Sequence, residues 1–268
     1  MAMDTRDKKN NKVILIGVAL IAMVFIFTFF RSGFESKNNS SNEVTQKKLN
    51  YPQISPEDLK SKLKNNEDLK ILDIRTPDDF AMEHLTNSLN TISEEIINVI
   101  PKEKTIIIVG YSAKDEEYTK IIDYLKEKKY NNFFILTGGF DLWKKTGGNV
   151  ISIGNPNSFT DTAKVTYIDP EDFKKIVENK NYPKYIIDIR SKQSFDSGHI
   201  SGAENILLDD LEKSTSKIPY GKEIYVYGDT DLSGFQGGVR LYDLNFMTAK
   251  VLKGGLEAWK SKGFTLEK

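Results

Sequence analysis

Two stretches of the chain are near-copies of each other and decide its fold: ILDIRTPDDFAMEHLTNSLN at residues 71–90 and IIDIRSKQSFDSGHISGAEN at residues 186–205. In each, an apolar run leads into Asp-Ile-Arg, a phenylalanine follows five residues after the arginine, and a histidine comes four residues later. A second matching pair reads LTGGFDLWKKTGG at 136–148 and LKGGLEAWKSKGF at 252–264. The repeat period, about 115 residues, is too long for one unit of a solenoid and predicts two tandem domains.

Short apolar runs alternate with helical patterns in both copies, which is typical of an α/β fold. Each copy opens with a helix start, Ser55-Pro56 in the first and Asp169-Pro170 in the second, where a capping side chain precedes a proline. This alternation predicts, for each copy, a central, mainly parallel sheet with helices on both faces. The predicted strands are 70–72, 105–109 and 133–136 in the first copy, and 185–187, 223–227 and 250–252 in the second.

The repeats also set the predicted boundaries. We expect a first domain at residues 51–148, a linker at 149–164 and a second domain at 165–268. Residues 31–50 are polar and have too little apolar surface to offset the entropy of ordering, so they are predicted to form a flexible stalk.

The N-terminal part predicts a membrane anchor. Residues 13–30 read VILIGVALIAMVFIFTFF and carry no charge. A helix of this length spans roughly 27 Å, close to the hydrocarbon thickness of about 30 Å. The alternative is a cleaved signal peptide, although the run is long for one and no small-residue cleavage pattern follows it. The tail at 1–12 carries more Lys and Arg than the residues just after the span, which predicts a single-pass protein with a cytoplasmic N-terminus and extracytoplasmic domains.

Composition excludes several classes of function. Lys plus Arg (38) balances Asp plus Glu (38), which argues against a nucleic-acid partner. The sequence contains no cysteine, so disulfides, thiolate metal sites and cysteine nucleophiles are excluded. The only histidines, His84 and His199, occupy equivalent positions, one per copy. We expect them to make structural hydrogen bonds; metal ligation is the alternative, but neither has a clustered partner in the sequence. No cofactor is predicted.

Taken together, these motifs resemble the signature of the rhodanese-like domain family. The Asp-x-Arg, Phe and His spacing, and the closing Gly-Gly-x-x-x-Trp, carry the resemblance. The second copy, which reads GHISGAENI at 198–206, matches the family motif more closely than the first, which reads EHLTNSLNT at 83–91. The resemblance covers nearly the whole chain outside the predicted anchor and stalk, and it implies a sulfurtransferase fold.

In that family, the third sheet strand leads into a loop that begins with the catalytic cysteine at a helix N-terminus. Counting back from the following strand predicts Ser112 at this position in the first copy and Gly228 in the second. Neither residue can hold sulfur as a persulfide, since that chemistry needs a thiolate. Acidic residues close to both positions (Asp115, Glu116, Glu117, Asp229 and Asp231) also disfavour an anionic donor.

Other roles for the motif residues remain as alternatives. Ser112 could serve as a hydrolase nucleophile only with a base within hydrogen-bond reach, so we interpret it as a loop residue or helix cap. Trp143 and Trp259 are predicted to lie in the core. Structural roles, in which a carboxylate caps a loop and a guanidinium braces carbonyl groups, are predicted for Asp73, Arg75, Asp188 and Arg190.

The sequence therefore favours a catalytically inactive, membrane-anchored tandem protein that serves as a binding or scaffold module at the cell envelope. A sulfurtransferase-family enzyme with residual activity by another route is the alternative. A third hypothesis is a structural partner that shapes an envelope complex through its surface.

Overall fold

The computed structural model describes residues 51–90, 97–112 and 115–268, and the side chains of residues 115–117 lie outside this description. The predicted cytoplasmic tail, transmembrane helix and stalk, residues 1–50, also lie outside it. Within the described ranges, no helix has the length and apolar character needed to cross a bilayer.

The first domain is built on a five-stranded sheet. The strands of the domain are β1 (Gln53–Ile54), β2 (Leu69–Asp73), β3 (Glu83–Leu85), β4 (Ser88–Asn90), β5 (Thr105–Val109) and β6 (Phe133–Leu136), and β3 lies outside the five-stranded sheet. Its helices are α1 (Pro56–Lys64), α2 (Pro77–Met82), α3 (Asp115–Glu127) and α4 (Gly139–Lys145). The sheet order is β1-β6-β5-β2-β4 and every pairing in it is parallel, so the prediction of an α/β domain with a parallel sheet is confirmed.

The second domain repeats this topology. After β7 (Val150–Ser152) and α5 (Phe159–Thr162), its strands are β8 (Thr166–Ile168), β9 (Lys184–Asp188), β10 (Ala203–Asn205), β11 (Glu223–Tyr227) and β12 (Lys250–Leu252). Its helices are α6 (Pro170–Glu178), α7 (Lys192–Ser197), α8 (Asp231–Asp243) and α9 (Gly255–Ser261). The parallel order β8-β12-β11-β9-β10 matches the first sheet strand for strand, and the two sheets are separate.

Each sheet buries apolar side chains on both faces, as near-continuous apolar strands require. The predicted core residues Trp143 and Trp259 are buried in equivalent places. Their indole N–H groups donate to the carbonyl oxygens of Asn149, at 3.0 Å, and Thr265, at 3.1 Å. Each tryptophan thus fixes the chain segment that follows its helix.

The two helix starts that look alike in sequence differ in their capping. The Ser55 hydroxyl accepts a hydrogen bond from the Asp58 N–H at 3.0 Å, as an N-cap should. Asp169 occupies the equivalent place but makes no capping bond, and its carboxylate lies 3.4 Å from the Lys253 ammonium. The prediction that both side chains cap their helices holds only for the first copy.

The predicted linker at 149–164 is ordered and joins the domains closely. Its strand β7 pairs antiparallel with β3, with Ile151 opposite His84. The Ile151 side chain, however, is buried in the core of the second domain. One short strand therefore completes the backbone pairing of one domain and the packing of the other. The second domain has an equivalent bridge, from His199 to Glu267.

Polar contacts reinforce this junction. The Asp243 carboxylate, at the end of α8, accepts a hydrogen bond from the Ser152 N–H at 3.1 Å and pairs with the Lys164 ammonium at 2.8 Å. Asp161 also contacts Lys164, at 3.1 Å. Both domains thus belong to one compact unit.

Candidate functional site

The carboxyl edge of each sheet carries the motif residues. β2 and β5 end side by side, with Asp73 opposite Val109, and β9 and β11 end in the same way, with Asp188 opposite Tyr227. The loops that follow β5 and β11 lead into helices α3 and α8. Ligands of parallel α/β sheets bind at this edge, so these loops are the candidate sites.

The strand register corrects the sequence-based placement of the nucleophile position in the first copy. Since Val109 and Tyr227 are equivalent, the first loop residues are Gly110 and Gly228, and Ser112 lies two residues further on. A second contact agrees: the carbonyl oxygens of Gly110 and Gly228 accept hydrogen bonds from the N–H groups that follow the closing Gly-Gly pairs, at 2.8 and 2.9 Å. Both domains therefore have glycine where the family loop begins.

Loop length explains why counting along the chain gave Ser112. Five residues separate the end of β5 from the start of α3, and only three separate the end of β11 from the start of α8, although both helices have 13 residues. Counting back from the later strand crosses this difference and shifts the first copy by two residues. Counting forward from Asp73 along the paired strands would have found Gly110.

In the second domain, the loop is closed by its own side chains. The Thr230 hydroxyl accepts from the Ser233 N–H at 3.3 Å, and the Ser233 hydroxyl accepts from the Thr230 N–H at 3.0 Å. This reciprocal capping box occupies N–H groups at the start of α8 that an anion would otherwise use. A Cβ atom on Gly228 would lie 2.7 Å from the Ser233 Cβ and closer still to its Oγ. The serine side chain therefore fills the space that a cysteine side chain at residue 228 would need.

In the first domain, a tyrosine hydroxyl accepts a hydrogen bond from the first residue of the loop. The Gly110 N–H donates to the Tyr118 hydroxyl at 3.0 Å, and Tyr118 is fully buried. The next loop residue, Tyr111, points its hydroxyl at the Asp79 carboxylate and lies near Thr76, whose N–H donates to it at 3.2 Å. Hydrogen bonds from Thr76 and then Tyr111 lower the pKa of Asp79, so a negative charge stays beside this loop.

A cavity of about 460 Å³ opens at this edge of the first domain, between the loop and the linker. The Arg75 guanidinium lies over the Phe140 ring, 3.6 Å from the ring centre, and both side chains line the cavity. The lining carboxylates outnumber the two lining cations, Arg75 and Lys144: they are Asp79, Glu83, Asp141 and Asp161. This surface disfavours a doubly negative donor such as thiosulfate.

The second loop is also acidic. The Asp229 carboxylate lies 3.4 Å from the Arg190 guanidinium, and Asp231 accepts from the Gly254 N–H at 2.7 Å. Burial works against the charge of Arg190, but the Asp188 carboxylate outweighs it and the pKa of Arg190 is raised. The arginine therefore stays charged but is already neutralised by protein carboxylates.

The two Asp-x-Arg pairs have the same geometry. Arg75 Nε and Nη2 donate to the Asp73 carboxylate, with Nη2 at 2.7 Å, and Arg190 does the same to Asp188 at 2.7 Å. All four side chains are buried. Each arginine also donates from Nη2 to a backbone carbonyl oxygen, that of Glu83 at 2.6 Å or Gly198 at 2.8 Å. These bidentate pairs brace the turn between the strand and the histidine.

His84 makes an interdomain contact that the sequence did not indicate. Its Nδ1 donates to the Phe80 carbonyl oxygen at 2.8 Å, and its ring stacks on the Phe80 ring at 4.1 Å. Its Nε2 lies 3.0 Å from the carboxylate of Glu212, in the second domain, which also accepts from the Asn87 N–H at 2.7 Å. Both ring nitrogens are engaged, so His84 has no free nitrogen to act as a base for Ser112.

His199 has the same local contacts without the interdomain one. Its Nδ1 donates to the Phe195 carbonyl oxygen at 3.1 Å, and the two rings stack at 3.8 Å. Its backbone pairs with Glu267 near the end of the chain. Among the described residues, no three His, Cys, Asp or Glu side chains cluster in a way that could hold a metal ion.

Comparison with known proteins agrees with this architecture. The family model described as the rhodanese-like domain matches residues 55–146 and 169–262. These matches cover well over half of the chain, and the chain belongs to the rhodanese-like family with two tandem domains.

Individual relatives are distant. The chain is 31% identical over 77 residues to YqhL of Bacillus subtilis, a match covering 29% of this chain and 61% of that protein. It is 26% identical over 89 residues to the thiosulfate sulfurtransferase GlpE of Pseudomonas fluorescens, covering 32% of this chain and 80% of the relative. The chain thus spans less than two thirds of the length of YqhL.

The matching solved structures are distant relatives as well. The rhodanese-like domain of an Anabaena protein is 32% identical, with a TM-score of 0.35, and the match covers 38% of this chain and 77% of that one. A thiosulfate sulfurtransferase from Pseudomonas aeruginosa is 17% identical, with a TM-score of 0.43, covering 81% of this chain and 43% of that one.

Proposed function

We propose that this protein is a catalytically inactive member of the rhodanese-like family that serves as a membrane-anchored binding or scaffold module. The observation that carries the proposal is the absence of cysteine from the whole sequence, together with glycine at the first position of both loops. Sulfur transfer requires a thiolate that accepts and holds a sulfur atom, and neither glycine nor a hydroxyl side chain can replace it.

The surroundings of the two loops support the same conclusion. In the second domain, the Ser233 side chain lies where a cysteine side chain would extend from residue 228. In the first, the Gly110 N–H is already bonded to a buried tyrosine hydroxyl. In addition to lacking the nucleophile, both sites thus have backbone N–H groups that are already bonded to protein side chains, at Gly110 in the first domain and at Thr230 and Ser233 in the second.

A thiosulfate:cyanide assay on the full chain tests this proposal. We expect no thiocyanate formation above the uncatalysed rate. Gly110→Cys should give at most weak activity, because the Asp79 carboxylate beside this loop raises the pKa of a nearby thiol and repels thiosulfate. Ser112→Cys is the matched control and should be inactive, since it lies two residues beyond the first loop position. Turnover by cysteine-free protein that copurifies with no other sulfurtransferase would refute the proposal.

A sulfurtransferase-family enzyme acting by another route is the second candidate. It is favoured by relatives that are named thiosulfate sulfurtransferases. The same assay separates the two candidates, because only the second predicts activity in the wild-type chain.

The proposed location rests on the apolar run at 13–30 and on the positive residues before it. We propose a single-pass protein of the cell membrane with both domains extracytoplasmic, where an envelope protein would be the partner. Protease added to spheroplasts should digest the domains. Protection until lysis would reverse the orientation, and a mature chain beginning near residue 32 would indicate cleavage.

A further inference from the structure

A second cavity, of about 380 Å³, lies between the two domains and away from the family loops. Its walls are mainly apolar, with Phe80 and Leu89 from the first domain and Ile153 from the linker. The second domain contributes the charged groups, chiefly Glu212 and Arg240. The volume is within the usual range for pockets that hold small organic molecules, about 300–1,000 Å³.

Arg240, in α8, is the unusual group in this wall. It is only 5% exposed, and its Nε has no hydrogen-bond partner among the described residues. Its Nη1 lies 3.3 Å from the Leu208 carbonyl oxygen and 3.6 Å from the Asp209 carboxylate. A buried guanidinium presents five N–H donors and normally needs well-placed acceptors for them. Here the donors are poorly satisfied.

The nearby carboxylates do not supply what is missing. Glu212 is held by His84 and the Asn87 N–H, and Asp243 is held by Lys164 and the Ser152 N–H. Asp209 is 93% exposed, so solvent screens its charge and it can rotate away from Arg240. Burial lowers the pKa of Arg240, although the guanidinium remains protonated at neutral pH. Asp209, Glu212 and Asp243 thus act on the Arg240 charge from nearby, but the contacts given for the described residues include no bidentate carboxylate pair with its guanidinium.

We infer that this interdomain cavity binds a small organic carboxylate with an apolar body. The carboxylate would lie against Arg240, displacing the weak contact with Asp209, and the body would lie against Phe80, Leu89 and Ile153. A bidentate carboxylate matches the planar guanidinium, and the apolar walls favour it over an inorganic anion. Because both domains form the walls, the ligand would stabilise their packing. The inference does not depend on whether the family loops are inactive.

The test uses the full chain and 3-phenylpropionate as the probe, with isothermal titration calorimetry and thermal unfolding as readouts. We expect saturable binding and a melting temperature that rises with probe concentration. The neutral 3-phenylpropionamide should bind at least tenfold more weakly, and this comparison on the wild-type protein needs no variant.

Variants assign the binding to the buried arginine. Arg240→Met should weaken binding at least tenfold, whereas Lys213→Met, which removes a highly exposed cation from the same rim, should change it less than threefold. Asp209→Asn should bind at least as tightly as the wild type. The inference is overturned if the probe does not bind at millimolar concentration, if the amide binds as well as the acid, or if folded Arg240→Met retains full affinity. Equal binding of inorganic phosphate would refute the proposed ligand class.

Discussion

The two domains hold their Asp-x-Arg pairs with nearly the same distances, but the loops beside those pairs have diverged in length and in contacts. The second loop is short and closed by the Thr230–Ser233 capping box, and the first is longer and meets the Tyr118 hydroxyl. The histidines diverge too, since His84 reaches across to Glu212 and His199 does not. Groups that brace the fold have been kept alike, whereas groups at the edge have taken up different contacts in each copy.

The largest effect should come from the bracing pairs and should be equal in the two domains. Asp73→Ala or Asp188→Ala removes the bidentate carboxylate from a buried arginine, which costs about 3–5 kcal/mol. Arg190 keeps a second carboxylate, Asp229, but that group is exposed and solvent screens its charge. Urea unfolding measures this cost in each domain separately, because the chain has only two tryptophans, Trp143 and Trp259, one per domain. Trp143→Phe leaves a reporter in the second domain and Trp259→Phe leaves one in the first. If the free energy of unfolding fell by less than about 1 kcal/mol in one domain alone, the two Asp-x-Arg pairs would not be equivalent.

The closed second loop can be tested by restoring a side chain. Gly228→Cys should destabilise the second domain by about 1–3 kcal/mol, because the new Cβ overlaps the Ser233 side chain. Adding Ser233→Gly should recover part of this loss by removing the overlap, although it also removes a cap. If the single variant were as stable as the wild type, Ser233 would not be closing the loop.

The histidines offer a matched pair. His84→Ala should destabilise the chain by about 1–3 kcal/mol, since it leaves the half-buried Glu212 carboxylate without its side-chain partner. His199→Ala should cost less, because its Nε2 has no such interdomain acceptor among the described contacts. A double-mutant cycle of His84→Ala with Glu212→Gln isolates the coupling. Equal losses at the two histidines would argue that the interdomain bond contributes nothing.

The smallest difference should be at the helix starts. Ser55→Ala removes a capping hydrogen bond and should cost about 1 kcal/mol. Asp169→Ala removes only an exposed ion pair with Lys253 and should stay within about 0.5 kcal/mol. Thermal unfolding of the two variants, followed by the tryptophan of the affected domain, gives the comparison. The reverse order would show that the helix dipole outweighs the capping bond at Asp169.

Much of the fold could be predicted because hydrophobic alternation and repeats are local properties of a chain. The paired motifs at 71–90 and 186–205 were enough to predict two α/β domains, and the family match confirms them. The structure places Gly110, not Ser112, in the position equivalent to Gly228, because counting back along the chain crosses two connections of different length. Ser233 and Tyr118 were missed for a different reason: each contacts a glycine only five or eight residues earlier, but the contact depends on how the chain bends between strand and helix.

The sequence by itself determined that these 268 residues supply no thiolate, because composition alone decides which chemical groups are available. It also determined the tandem repeat and the apolar N-terminal run. Only the tertiary structure decided that the segment at 149–164 joins the two cores through Ile151, that His84 meets Glu212, and that Arg240 is buried beside an interdomain cavity. The physical reason is that these contacts join residues far apart along the chain, and their burial depends on how the two sheets pack.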